Sequence, residues 1–122
     1  MISFREQRRR KIVWAVYVLV LCVTSLMPQE LAQAPGSDKL HHFLAYALLV
    51  LLWPSGPSLI RIVALAAGLG ALLELGQGIL PTGRCMEGAD AVANTVGACL
   101  GAVIIFAWQR LQSSAAARRE HS

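Results

Sequence analysis

Residues 12–29, 40–60 and 91–109 contain no Asp, Glu, Lys or Arg. A fourth apolar stretch, 59–80, carries only Arg61 near its start and Glu74 within it. A helix that crosses the hydrocarbon core of a bilayer needs about 20 apolar residues at 1.5 Å rise each, and these stretches approach or reach that length. A soluble domain is about a quarter charged, whereas this chain is 15% charged, with a mean hydropathy of +0.55. Most of it is therefore excluded from being a soluble domain. At 122 residues it has room for one all-α unit, a four-helix transmembrane bundle.

Three segments follow: a basic N-terminus over 1–11, a membrane domain over 12–110, and a polar tail over 111–122 that is expected to be frayed or disordered. Five cations between Arg5 and Lys11 precede the first apolar run, 12–27. A secretory signal peptide has the same outline. The cleavage-like motif Ala32-Gln33-Ala34 is followed by Pro35, which blocks cleavage at that bond, and Leu19-Val20-Leu21-Cys22 matches a lipoprotein signal only loosely because Leu21 is bulky where a small residue is needed, so the first helix is expected to remain. The second helix, about 40–53, ends at Pro54 and the turn Ser55-Gly56-Pro57. It is short for a full span, and Ser37 is a candidate N-cap. The third covers about 59–80 and stops at Pro81-Thr82-Gly83; the fourth runs over about 88–108.

The distribution of Lys and Arg sets the orientation. With the N-terminus in the cytoplasm, the inner side holds Arg5, Arg8, Arg9, Arg10, Lys11, Arg61, Arg110, Arg118 and Arg119, and the outer side only Lys39 and Arg84. Trp14, Trp53 and Trp108 then fall at inner-side helix ends, as an aromatic belt requires. Both termini are thus expected in the cytoplasm. The sequence pI of about 9.4 does not point to nucleic acid, because no basic patch is interleaved with aromatics on a soluble face. Three cysteines, Cys22, Cys85 and Cys99, have no ligand or CxxC spacing. Cys22 and Cys99 lie in apolar spans and read as small buried hydrophobes; Cys85 lies in a polar loop.

In this orientation the polar residues of the apolar spans gather on the outer side. Asp38, Lys39 and His42 open the second helix, Glu74 and Gln77 occupy the last turns of the third, Arg84 and Glu87 lie in the following loop, and Asp90 and Asn94 open the fourth. Helical spacing puts Lys39, His42 and Tyr46 on one stripe, Glu74 and Gln77 on a second, and Asp90, Asn94, Gly97 and Gly101 on a third. His41 lies about 100° round the helix from His42 and is left out. Gly97 and Gly101, with Ala93, permit close helix approach. Interhelical polar contacts serve as structural glue at roughly 0.6 kcal/mol each, and Gln77, Asn94 or His42 alone would read that way. A carboxylate within a span is costly and marks function by default, so Glu74 is expected to face inward, towards Lys39, Arg84 or His42.

The order Asp38-Lys39-x-x-His42-x-x-x-Tyr46, Glu74-x-x-Gln77, Arg84, Asp90-x-x-x-Asn94-x-x-Gly97 resembles the VanZ-like family over about residues 38–101. The segment Cys85-Met86-Glu87 departs from the more polar, Ser-containing stretch expected there. The resemblance implies a small multi-pass protein of the bacterial cytoplasmic membrane, with a link to tolerance of teicoplanin, a lipid-tailed glycopeptide. Three functions stay open. The first is binding of an amphiphile with an anionic or sugar head, such as an envelope lipid, a prenyl-linked precursor or a lipoglycopeptide. Its ligand-binding residues would be Asp38, Lys39, His42, Tyr46, Glu74, Gln77, Arg84, Asp90 and Asn94, with Arg84 suited to phosphate or carboxylate. The second is an enzyme on such a lipid, with His42, Glu74 and Asp90 as catalytic candidates but no nucleophile motif. The third is a structural subunit in which Gly97 and Gly101 form a homo-oligomer contact. No cofactor and no metal is expected, since His42, Glu74 and Asp90 lack the spacing of a ligand motif. The lipid bilayer is the partner common to all three.

Overall fold

The computed structural model describes residues 2–27, 38–54, 58–81, 83 and 88–122, with the Asp38 side chain excepted. The Ala32-Gln33-Ala34 motif, Ser37, Arg84, Cys85 and Glu87 lie outside the described residues. Four helices, α1 (Phe4–Leu26), α2 (Asp38–Leu51), α3 (Leu59–Ile79) and α4 (Gly88–Glu120), make up the fold, with no strand among the described residues.

Each helix begins and ends for a local reason. α1 starts within the basic segment because Ser3 caps it: its hydroxyl accepts from the Glu6 backbone N–H at 3.2 Å, and the Glu6 carboxylate complements the helix start. α2 ends two residues earlier than the spacing suggests. Its last carbonyls are closed by the Leu52 and Trp53 N–H groups before Pro54, which disfavours helix at the preceding residue. α3 keeps almost its expected length and closes with the Leu80 N–H on the Gly76 carbonyl at 2.9 Å. α4 corrects the expectation of a frayed tail, continuing as helix through 111–120. That segment holds three Ala and two Arg with single Leu, Gln and Glu beside two Ser, and contains neither Gly nor Pro, which favours helix without tertiary support.

α2 lies along α4, and α4 also packs on α3. A Cβ on Gly97 would run into the Phe43 carbonyl, and one on Gly101 would stand 2.7 Å from the Ala47 carbonyl and 3.0 Å from Val50 Cβ. The small-residue face of α4 is thus filled by α2 of the same chain, and the register (43 on 97, 47 on 101) makes the two helices parallel. α1 runs antiparallel along α2: the Trp14 indole N–H donates to the Leu49 carbonyl at 3.1 Å and the Tyr17 hydroxyl to the Ala45 carbonyl at 2.6 Å. Trp14 also meets Trp53 edge-on, with ring centroids 4.8 Å apart. Tyr46, Leu49, Val50, Ile62, Ala66, Leu73, Ala98 and Ala102 form the core with Leu21.

The outside is also apolar. Val92, Val96, Val103 and Phe106 of α4 are exposed on one stripe, as are Leu65, Leu72 and Ile79 of α3 and Leu40, Leu44, Leu48 and Leu51 of α2. Such a continuous apolar exterior is foreign to a soluble monomer. Cys99, expected to be buried, is exposed on that α4 stripe, and Cys22 is half-buried. The reason is that α4 is apolar all round, so hydropathy alone does not tell its core side from its outer side. α3 and α4 are long and apolar enough to cross a bilayer; α2, at 14 residues, extends ~21 Å.

Candidate functional site

The buried positions of α3 are Ile62, Ala66, Gly70, Leu73, Glu74 and Gln77, and those of α4 are Asp90, Asn94, Gly97, Ala98, Gly101 and Ala102. Both series step by three and four, so each marks one face turned to the bundle. Along both faces the polar members fall at one end, the C-terminal end of α3 and the N-terminal end of α4. The N-terminal end of α2, parallel to α4, brings His42 and Tyr46 to the same level. Glu74 (4% exposed), Gln77 (3%), Asp90 (8%), Asn94 (2%) and Tyr46 (2%) are all buried there.

His42 is the join between α2 and α4. Its Nδ1–H donates to Asn94 Oδ1 at 2.9 Å, and its Nε2 lies 3.6 Å from Asp90 Oδ2. The two α4 groups are one turn apart on the same face, so a single imidazole reaches both. Asp90 sits in the first turn of α4, where a carboxylate is favoured by the helix dipole. Its second oxygen, Oδ1, is buried and has no hydrogen-bond partner among the described residues.

α3 contributes the opposite wall. Gly70 lies where α2 and α4 converge: a Cβ there would stand 2.9 Å from Asn94 Nδ2 and 3.2 Å from Tyr46 Cε1. Glu74, one turn further on, is buried, so it is turned inward as its cost in an apolar span requires. Gln77 reaches a partner the spacing did not suggest, donating its Nε2–H to the Ser25 carbonyl of α1 at 2.7 Å. Beside it Gly76 accommodates Leu26, whose Cδ2 would lie 3.2 Å from an added Cβ.

Of the residues singled out from sequence, His42, Tyr46, Glu74, Gln77, Asp90 and Asn94 come together. Lys39 is exposed at the start of α2, and His41, left out of the set, is exposed as well. Ala93 is half-buried beside Asn94, and Gly97 and Gly101 continue the polar stripe as the α2 contact. Arg84 and the Asp38 side chain are outside what the structure describes. Gly70 and the α1 carbonyl of Ser25 were missed. Gly70 could have been found as the position four before Glu74 on the same face; Ser25 offers only a backbone acceptor, which leaves no sequence signal. Among the described residues no three His, Cys, Asp or Glu side chains converge to hold a metal.

No curated protein and no solved structure matches the chain. A family model described as VanZ/LLP1 matches residues 4–109, and the chain belongs to that family. With two helices fit to cross a bilayer and an apolar exterior, it is a membrane protein.

Proposed function

We propose that this VanZ/LLP1 family member spans the cytoplasmic membrane four times, with both termini inside, and uses its outward polar end to bind the head group of an amphiphilic envelope component. Anionic or prenyl-linked lipids and lipoglycopeptides are the candidate classes, and the consequence would be altered envelope properties or glycopeptide tolerance. The observation that carries this reading is the convergence of Glu74, Gln77, Asp90 and Asn94, all buried, with His42 at one end of a bundle whose other described buried residues are apolar. Packing alone would be served by apolar side chains, since interhelical hydrogen bonds contribute only about 0.6 kcal/mol each in a membrane. Two buried carboxylates, Glu74 and Asp90, cost more than such glue returns.

A catalytic role would make His42 the base. Both of its ring nitrogens already face side chains of α4, which suits a positioning group better than a proton acceptor turned towards a substrate. An oligomer built on Gly97 and Gly101 would have to displace α2 from them.

The test is native mass spectrometry of protein extracted from its own membrane in mild detergent, wild type beside Glu74→Ala and Arg84→Ala. A discrete envelope lipid carried by the wild type and lost from both folded variants is the expected result. Equal bulk lipid on all three would remove the head-group site.

A further inference from the structure

We infer that the group received at this end is a hydrogen-bond donor, a hydroxyl or an ammonium of the ligand's head, and that Asp90 Oδ1 is its acceptor. The inference rests on the head-group reading above and specifies the chemistry at its inner wall.

Asp90 is buried, and one of its two carboxylate oxygens, Oδ2, lies 3.6 Å from the His42 Nε2. The other, Oδ1, has no hydrogen-bond partner among the described residues. A buried carboxylate oxygen without a donor is rare and costly. Two of the donors at this end are committed elsewhere: the Gln77 amide to the Ser25 carbonyl, and the His42 Nδ1–H to Asn94 Oδ1. What Asp90 Oδ1 lacks among the described residues is a proton donor. An anionic group entering against Asp90 would be repelled by its carboxylate. A hydroxyl or an ammonium is drawn in by that carboxylate, and charge assistance makes such a bond roughly twice as strong as a neutral one.

Phosphatidylcholine has no hydrogen-bond donor in its head, so nanodiscs of that lipid make a silent host. The full chain is placed in them with small equal fractions of glucosyl diacylglycerol, phosphatidylethanolamine and phosphatidic acid, and the lipids that stay with the protein are read by native mass spectrometry. The wild type should retain the glucosyl lipid or the phosphatidylethanolamine about tenfold over phosphatidic acid, and Asp90→Ala should abolish the preference. Asp90→Asn separates the two sources. It should keep much of the binding of a hydroxyl, which the amide oxygen still accepts, and lose that of an ammonium, which needs the charge. If Asp90→Ala does not fold, Asp90→Leu, which removes the acceptor without opening a cavity, carries the test and must abolish the preference. Retention of phosphatidic acid above both other lipids, lost with Arg84→Ala and unmoved at Asp90, would overturn the inference and leave the head-group reading standing. Retention of none of the three by folded wild type would overturn both, with a water molecule sufficient for Oδ1.

Discussion

Gly97 and Gly68 separate packing from propensity. Both are helical glycines, but a Cβ on Gly97 would run into the Phe43 carbonyl, whereas nothing lies within 4 Å of one on Gly68. Gly97→Ala should cost about 1–3 kcal/mol through forced separation of α2 and α4, while Gly68→Ala should be neutral or stabilise by up to about 1 kcal/mol. Unfolding in detergent by titration with dodecyl sulfate measures both, and equal effects would contradict the close approach. For His42, a double-mutant cycle of His42→Ala with Asn94→Ala should return a coupling of about 0.6 kcal/mol and not above about 1.7; a coupling near zero in folded variants would mean the bond is not made. The α4 stripe was legible in the sequence because Asp90, Asn94, Gly97 and Gly101 repeat at helical spacing. Which nitrogen of His42 meets which α4 side chain was not, because that depends on the parallel register of α2, and Gln77 finds a backbone carbonyl that leaves no trace in residue type.

At the scale of the element, hydropathy located every helix and misjudged several ends. Pro54 and Pro81 mark breaks that any reading of the chain finds. The ends that differ are those decided by capping and propensity where hydropathy falls away: the Ser3 cap draws Arg5–Lys11 into α1, and 111–120 extends α4 to 33 residues. That length is ~50 Å, well beyond a hydrocarbon core of about 30 Å, so the last turns of α4 stand clear of the bundle. Every residue over 111–122 is exposed. Deleting 111–122 should therefore lower the circular-dichroism helix signal by about ten residues while changing bundle stability by less than about 0.5 kcal/mol. A large loss of stability would show that the tail docks on the bundle.

For the whole molecule, the two ends of the bundle are chemically opposite. One gathers His42, Glu74, Gln77, Asp90 and Asn94. The other carries Arg5, Arg8, Arg9, Arg10 and Lys11 on the first turns of α1, Arg61 at the start of α3, and Arg110, Arg118 and Arg119 on the end of α4. The parallel α2 and α4, with α1 antiparallel to α2, put these cations together, and the first five are part of a regular helix rather than a loose arm. Cations near helix ends are retained in the cytoplasm, so the basic end should be inside and the acidic pair outside. In a Cys22→Ala, Cys99→Ala background, Cys85 of the α3–α4 loop reports one end and Ser122→Cys the other. A membrane-impermeant maleimide applied to intact spheroplasts should label Cys85 at once and Ser122→Cys only after permeabilisation. The reverse pattern would put Asp90 and Glu74 on the cytoplasmic side, where an envelope amphiphile of the outer leaflet could not reach them, and would remove the proposed ligand classes together with the orientation. The orientation is thus the premise on which the ligand assignment stands, and it rests on the placement of nine cations rather than on any single contact.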